Sequence, residues 1–433
     1  MKINFKKYFP IIVLAVLSLM PIARWAFLEP MSLRFSDFNS TMTSLGQITG
    51  LLGMILFALN LVISNRSIFF DRFFKGLHHF YNAHKWMGSL SFSLLLFHPL
   101  FLVVKYISTS LYDAALFLLP GSNIANTFGI IALLGMIVLL SITLYFKIKY
   151  NIWRFSHKFM VLVFVIAIGH TLIVSSDISR DLFLRTYILF FSILGLISGF
   201  YRSFLRIFFD KDFEFTVKNV TMLNPNVIEI ELEPTKEVME FYPGQFIFIK
   251  FLSDGVSSEP HPFSISSASQ EKNIKITVKF LGDFTSKLGN VKVGMKAKVE
   301  GPFGEFFENR KNKKEIWLAG GVGITPFLSM AKSLNNIEND IYLFYCLNDA
   351  TEAVSLGELK IATIKNSKFH LITWYSKEQG RISADGISKL TNGIVDKDIY
   401  LCGPPPFMKA LVDQFITNGV DESNINFEEF NFL

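Results

Sequence analysis

A chain of 433 residues, 51% of them hydrophobic and with a mean hydropathy of +0.38, is too apolar for an ordinary soluble protein and long enough for two or three domains. The net charge of +6 is modest. Its basic residues gather at the ends of apolar runs, where they act as topology signals and argue against a nucleic-acid partner. With only two cysteines, Cys346 and Cys402, neither a disulfide framework nor a Cys-rich metal site is available.

The apolar residues crowd into the first 208 positions. Six runs there have spanning length: Tyr8–Phe27, Leu45–Ser64, Asn82–Tyr106, Asn126–Lys147, Trp153–Ser175 and Leu182–Phe208. Lys2, Lys6 and Lys7 precede the first run as in a signal peptide, but no small-residue cleavage site follows. Arg24-Trp25 reads instead as an interfacial anchor, so the run is expected to remain as a helix. The loops alternate in charge. The N-terminus, the second loop (Arg66, Arg72, Lys75), the fourth (Lys147, Lys149, Arg154, Lys158) and the final exit (Arg202, Arg206, Lys211) are basic. The others hold only Arg24 and Arg34, then Lys105, then Arg180 and Arg185. The positive-inside rule therefore predicts a multi-pass protein of the plasma (inner) membrane with both termini cytoplasmic.

Four histidines lie in these runs, His84 and His98 on the third, His157 and His170 on the fifth. A lone histidine in a span also serves as a helix–helix hydrogen bond, but these form a pattern. The two spans run parallel, and each carries a histidine near its cytoplasmic end and another 14 or 13 residues on. At 1.5 Å per residue the two levels are ~20 Å apart, one in each leaflet of a ~30 Å core. Facing imidazoles are axial ligands for haem iron. His84 with His157 is expected to hold an inner haem, and His98 with His170 an outer one. Fourteen helical steps return nearly to the same face, whereas 13 end about 220° round. The fifth span therefore needs a tilt, a π-bulge or differently turned haems. His78 and His79 precede the third span and read as interfacial, and Pro99 is expected to bend that helix after His98.

From about Asp210 short alternating strands appear: Glu214–Val220, Val227–Glu233, Gln245–Phe251, Asn273–Phe280 and Lys296–Glu300. This predicts a small antiparallel barrel. His261-Pro262-Phe263-Ser264-Ile265-Ser266 offers a basic group, an aromatic face and hydroxyls. A flat ring system would lie on Phe263 and bond Ser264, its phosphate tail meeting His261. Gly282-Asp283-Phe284-Thr285-Ser286 opens a short helix whose free N–H groups suit a pyrophosphate. From Lys314 the chain alternates strand and helix, with strands Glu315–Ala319, Ile341–Cys346, Phe369–Tyr375 and Asp398–Cys402. Gly320-Gly321-Val322-Gly323-Ile324-Thr325-Pro326 is a strand-to-helix turn that lets backbone approach a pyrophosphate. Cys402-Gly403-Pro404 ends another strand. Its thiol either touches a nicotinamide ring or is a buried small hydrophobe.

Taken together these residues resemble the ferric reductase and NADPH oxidase superfamily over nearly the whole chain. The four-histidine spacing is similar to that family's two-haem domain, and His261-Pro262-Phe263-Ser264 to its FAD motif. Gly320–Pro326 with Cys402-Gly403-Pro404 resembles its nicotinamide motifs, and Gly301-Pro302-Phe303-Gly304 its flavin/nicotinamide junction. The resemblance implies a six-helix transmembrane bundle (1–208, di-haem), an antiparallel β-barrel FAD domain (210–308) and an α/β NAD(P)H domain (312–433), the last two ferredoxin-reductase-like.

The FAD would be held by His261, Pro262, Phe263, Ser264 and Ser266, with Gly282, Thr285 and Ser286. NADPH or NADH would be held by Gly320, Gly321, Gly323, Thr325, Pro326, Cys402 and Gly403. Family members tend to end in an aromatic that covers the flavin, a role carried to Phe432, with Phe430 as runner-up. Hydride transfer is thus expected at Ser264, Cys402 and Phe432. After the second strand, Cys346-Leu347-Asn348-Asp349 lacks the arginine of NADP-preferring members, although Arg381 is placed to meet a 2′-phosphate. The expected reaction moves electrons from cytoplasmic NAD(P)H through FAD and two b haems to an outer acceptor, O2 giving superoxide. A ferric chelate, or a periplasmic partner fed with electrons, stays open as the alternative. Beyond the lipid bilayer no protein partner is evident.

Overall fold

A computed structural model describes residues 5–107, 110–144, 146, 150–205, 212–253, 256, 259–306, 312, 314–334 and 338–428. The chain divides into two compact units, 1–70 with 79–210 and 71–78 with 211–433.

The first unit is a bundle. Six helices among the described residues are long and apolar enough to cross a membrane: Tyr8–Leu28, Phe38–Val62, Leu77–Ile107, Ile124–Thr143, Ile152–Ile173 and Leu182–Leu205. In hydrocarbon a spanning segment must satisfy its own backbone groups, so an apolar run of this length forms a helix. The chain is accordingly a multi-pass membrane protein. All six expected spans are present. The expected ends at Lys147 and Phe208 lie outside the described residues.

The second span is central, with Leu51 and Met54–Leu59 all buried. Small residues let the helices close on one another. A side chain at Gly195 of the sixth span would meet the Ala58 carbonyl at 2.8 Å, and one at Gly53 of the second would meet Leu95 of the third at 2.7 Å. Ser91 of the third span donates to the Gly53 carbonyl at 2.8 Å. Arg24 donates to Asp181 at 2.7 Å, and Asp181 also caps the sixth span through Leu184 N–H. Arg34 is buried against Asp177 (3.0 Å), the Trp25 carbonyl (2.9 Å) and the Trp25 ring (3.9 Å to its centroid). Arg24 and Arg34 therefore tie helices together.

The second unit contains two sheets. The first is antiparallel, with β1 (Phe213–Asn224), β2 (Val227–Pro234), β3 (Phe246–Phe251), β4 (His261–Ser264), β5 (Ile274–Lys279) and β6 (Lys296–Phe303), in the order β4-β3-β6-β1-β2-β5. A bridge from Ile265 to Ile276 brings its two ends together, so the sheet curls. Inside it lie Phe215, Ile230, Ile247, Ile249, Phe251, Ile276 and Val299, at the alternate positions that pleating sends to one face. β4 was not expected as a strand. Pro262 argues against one, but β4 stands at the edge of the sheet, where a proline is tolerated.

The second sheet is parallel: β7 (Lys314–Gly320), β8 (Asp340–Leu347), β9 (Phe369–Tyr375), β10 (Asp398–Cys402) and β11 (Ile425–Glu428), ordered β11-β10-β7-β8-β9. Its apolar strands are covered on both faces, with Trp317, Tyr345 and Tyr400 in one core and Ile316, Phe344 and Leu401 in the other. The chain builds β7 to β9 in one direction, then crosses back to β10 beside β7. That reversal leaves a crevice at the carboxyl ends of β7 and β10, where open α/β sheets take ligands.

Candidate functional site

The histidines of the third and fifth spans meet in two pairs. His84 faces His157 with ring centroids 6.4 Å apart, and His98 faces His170 at 6.2 Å; the rings are inclined by 69° and 70°. Two imidazoles on opposite sides of one metal ion, each at a metal–nitrogen distance of ~2.0–2.1 Å, put their centroids roughly 6 Å apart. Both pairs therefore have the spacing of opposed axial ligands.

The 13-residue interval is reconciled by a break in the fifth span. Its helix stops at His157 and resumes at Met160. Lys158 and Phe159 there bond three residues back, to Phe155 and Ser156 (3.2 and 3.0 Å), as Val161 does to Lys158. Such tight turns advance about 120° per residue instead of 100°. They carry the second histidine past the 220° position and toward the face of the first. The local change is the opposite of a π-bulge, which unwinds. A π-type turn does occur, but at Tyr201–Leu205 of the sixth span. Pro99 lies within the continuous helix Leu77–Ile107.

The pair His98 and His170 has a built environment. His98 Nδ1 lies 2.7 Å from the Gly46 carbonyl, and His170 Nδ1 lies 2.7 Å from the Ala125 carbonyl. A carbonyl can only accept, so both Nδ1 atoms carry the proton and both Nε2 lone pairs are left for a metal. One turn beyond each carbonyl stands a glycine. A Cβ at Gly50 would lie 2.6 Å from His98 Nδ1, and one at Gly129 would lie 2.9 Å from His170 Nδ1. The pair His84 and His157 differs. The Asn60 backbone faces His84, and among the described residues neither His84 Nδ1 nor His157 Nδ1 makes a well-formed hydrogen bond. Gly46, Gly50, Ala125 and Gly129 were missed in the sequence, although small-x-x-x-small is the usual sign of close helix approach. His78 belongs elsewhere, edge-on to Phe427 at 6.3 Å.

In the antiparallel sheet, His261 to Ser264 pair along β3, from Ile249 to Phe246. His261 stacks on Phe284 with centroids 3.5 Å apart, and Phe263 lies 6.2 Å from the same ring. Phe284 was not expected as a site residue. It brings the two expected motifs together as one aromatic face. Burial lowers the His261 pKa while Glu259, 3.6 Å away, pulls it up. The net shift is downward, so at neutral pH the ring offers a hydrogen bond to a phosphate and not a charge. Ser264 is buried, and Ser266 is turned inward with its hydroxyl 3.1 Å from Thr277. Thr285 accepts from the N–H groups of Leu281 and Gly282 (2.9 and 3.0 Å), and Ser286 donates to the Gly282 carbonyl. These hydroxyls shape the turn themselves.

In the parallel sheet, both expected loops stand at the crevice. A side chain on Gly323 would fall on the Cys402 carbonyl, and one on Gly320 would meet Pro404 and Phe407 at 3.0 and 3.1 Å. One on Gly403 would meet Gly320 Cα at 3.0 Å. These three glycines let the loops after β7 and β10 lie backbone against backbone. Gly321 differs: its φ is +57°, and open space lies around it. Thr325 and Pro326 begin the helix Thr325–Ser333 that follows. Cys402 is 2% exposed, and burial, with Glu428 nearby, pushes its thiol pKa well up. The thiol therefore stays protonated and cannot act as a nucleophile.

Glu428, at the end of β11, was another omission. Its pKa is raised by burial and by Asp71, and its carboxylate is 2.8 Å from where a Gly304 Cβ would lie. Gly304 N–H donates to Asp71 at 2.9 Å. Beyond β8, Asp349 accepts from Lys377 (2.6 Å) and Thr351, which hold its pKa down to about 2. Arg381 is exposed. Phe430 and Phe432 lie outside the described residues.

Comparison with known proteins divides the chain in the same way. Residues 49–168 match a family described as the ferric reductase like transmembrane component, 212–325 an FAD-binding domain, and 317–413 an oxidoreductase NAD-binding domain. A flavohemoprotein of Vibrio cholerae serotype O1 is 31% identical over 207 residues, covering 45% of this chain and 52% of that protein. The ferredoxin reductase component of 3-ketosteroid-9-alpha-monooxygenase from Mycolicibacterium smegmatis is 28% identical over 201 residues, covering 45% and 57%. The chain thus spans about half the length of the curated relatives it matches. Among solved structures, the FAD/NAD binding domain of nitric oxide dioxygenase from Vibrio cholerae O1 is 28% identical, with a TM-score of 0.44, covering 50% of this chain and 98% of that one.

Proposed function

We propose that this chain, whose segments match a ferric reductase like transmembrane component, an FAD-binding domain and an oxidoreductase NAD-binding domain, passes electrons from cytoplasmic NAD(P)H, through FAD and two b-type haems, to O2 on the far side of the bilayer. One hydride carries two electrons, so the balance is NAD(P)H + 2 O2 → NAD(P)⁺ + H⁺ + 2 superoxide. When bound, the nicotinamide supplies hydride, the flavin turns a two-electron donor into a one-electron donor, and the haems relay single electrons.

The observation that carries this reading is the double pairing of His84 with His157 and His98 with His170. Among the described residues no group of three or more His, Cys, Asp or Glu side chains could hold a metal. Opposed pairs of neutral nitrogens fit an iron whose remaining positions come from a macrocycle. The residues of this chain then position the groups. Gly46 and Ala125 orient the outer imidazoles, and Phe263 and Phe284 offer a face for a flat ring. Gly321 exposes backbone N–H groups to a pyrophosphate. His261 and the neutral Cys402 thiol add polarity without charge.

Two observations support the direction and the acceptor. The alternation of basic loops along the sequence supports a cytoplasmic location for the nucleotide domains. Arg24 and Arg34 are taken up by Asp181 and Asp177, which makes these two less available to an anionic ferric chelate.

The test is NADH or NADPH oxidation by protein in sealed proteoliposomes, with the acceptor on the opposite side. The account expects reduction of external cytochrome c that superoxide dismutase abolishes. Ferrous-chelate formation that persists without oxygen would instead establish the ferric-reductase alternative.

A further inference from the structure

The helix Thr325–Ser333 reaches from the crevice of the parallel sheet to the antiparallel sheet, and we propose that Lys332 and Ser333 at its carboxyl end are positioning residues for hydride transfer. They set the register of the nicotinamide site against the flavin site. The proposal rests on the hydride step of the function given above and is independent of the bundle and of the acceptor.

The helix starts where the loops after β7 and β10 meet. Gly321–Ile324 leads into it, and Gly323 lies against the Cys402 carbonyl. Ile324, Phe327 and Leu328 are fully buried in the core of the parallel sheet, and close packing there leaves the helix little room to shift. Its nine residues carry the chain roughly 13 Å away from the crevice. The far end grips the segment that follows the expected flavin motif. Lys332 Nζ donates to the Ser266 carbonyl at 3.2 Å and pairs with Glu358 at 2.7 Å. Glu358 stands on the neighbouring helix Leu356–Lys365, so it aims the ammonium from the parallel-sheet side. Ser269 N–H donates to the Ser333 hydroxyl at 3.0 Å, and that hydroxyl donates in turn to the Ser329 carbonyl at 2.7 Å.

The gripped segment is itself fixed. Ser266 N–H donates to the Lys275 carbonyl at 2.8 Å, Lys275 N–H to the Ser267 hydroxyl at 3.1 Å, and Ala268 N–H to Glu271 at 2.9 Å. Ser264, the residue expected to bond the flavin ring, is two positions before Ser266. A shift at the end of the helix is therefore passed on to the flavin motif and not absorbed between them.

The two sheets also meet through apolar side chains, since Leu223 and Val227 pack into the core that holds Trp317 and Tyr345. Hydrophobic contact is non-directional. It resists separation of the sheets but tolerates sliding, whereas a hydrogen bond fixes direction. Hydride transfer needs its two carbons ~3–3.5 Å apart, and a misplacement of ~1 Å costs on the order of 100-fold. The polar grip thus matters more for rate than for stability. A plainer role for Lys332 is a basic residue answering the dipole at a helix end. Such a charge would stand in solvent, but the Lys332 side chain is only 14% exposed and bonds a carbonyl of the other sheet.

The experiment is stopped-flow reduction of the flavin by NADH in the purified full-length protein without oxygen, repeated with NADH deuterated at the transferred position. Lys332→Met should lower the limiting rate about tenfold, with the half-saturating NADH concentration and the FAD content within about twofold of wild type. The slowed phase should carry a primary isotope effect. Lys332→Arg, which keeps a cation able to donate to both oxygens, should restore most of the rate. Ser333→Ala, which leaves every charge in place, should lower it roughly threefold. A wild-type limiting rate in both Lys332→Met and Ser333→Ala would overturn the proposal. So would a slowed phase without an isotope effect, or a loss of rate that only follows a loss of FAD. A wild-type protein whose flavin is reduced by neither NADH nor NADPH would instead sink the functional reading beneath it.

Discussion

The membrane bundle and the parallel sheet organise their chemistry in opposite ways. In the proposed haem sites the decisive atoms would belong to four side chains, and neighbouring helices supply carbonyls that aim two of them, His98 and His170. At the crevice of the sheet the decisive atoms are backbone, and the important feature of Gly320, Gly321, Gly323 and Gly403 is the side chain they lack. The contrast teaches that the first region fails when a side chain is removed, and the second when one is added.

The largest effect should come from subtraction in the bundle. His170→Ala should cost one of the two haems and lower transmembrane electron transfer by on the order of 100-fold, since even the loss of outer-shell support commonly costs 10–100-fold. Flavin content and NADH oxidation by an artificial soluble acceptor should be preserved. If transfer across proteoliposomes persists, the bundle is not the electron path.

Addition in the sheet comes next. Gly323→Ala drives a methyl onto the Cys402 carbonyl and should destabilise the nucleotide domain by about 1–3 kcal/mol. A thermal melt of the variant reads this directly, and NADH affinity should fall with it. Gly321→Ala should be milder. No atom stands in the way, but a φ of +57° costs an L-residue about 1–2 kcal/mol. If Gly321→Ala proves worse than Gly323→Ala for stability, the close contact of the two loops is not what the glycines serve.

The smallest effect concerns the choice of nucleotide. We propose that Asp349, two residues beyond β8, accepts from a ribose 2′-hydroxyl and disfavours a 2′-phosphate. NADH should therefore be preferred, and Asp349→Ala should narrow that preference by a few-fold, roughly 1 kcal/mol. Lys377 and Thr351 hold the folded pKa at about 2. A depressed carboxylate pKa means the group is ionised at every pH above it, and its effect is lost only as pH falls through about 2. The ratio of NADH to NADPH turnover should accordingly be flat from pH 5 to 8. A preference that changes within that range would assign selectivity to another group.

The same contrast explains what was legible beforehand. Spans could be read because hydrocarbon demands uninterrupted apolar helices, and the histidines because an ionisable group is conspicuous there. The strand-end glycine loops could be read because close backbone approach admits little else. The break at Lys158-Phe159 was not legible. The 13-residue spacing called for some irregularity in this span, but no local residue marks its form or place. Gly50 and Gly129 were hidden among many small residues in spans, because their function lies in the ring that fills the space beside them. β4 was obscured by Pro262, and Phe284 and Glu428 by residues distant in sequence that pack against them. Local chemistry thus announces itself, whereas support from a neighbouring element does not.

The most direct test of the central claim is the haem-to-flavin ratio of the purified protein, taken with its reduced-minus-oxidised spectrum. The account predicts two low-spin b-type haems per FAD in the wild type and one in the His170→Ala variant. A wild-type protein that binds flavin yet carries no haem, or a ratio unchanged by replacing any of His84, His98, His157 and His170, would contradict it.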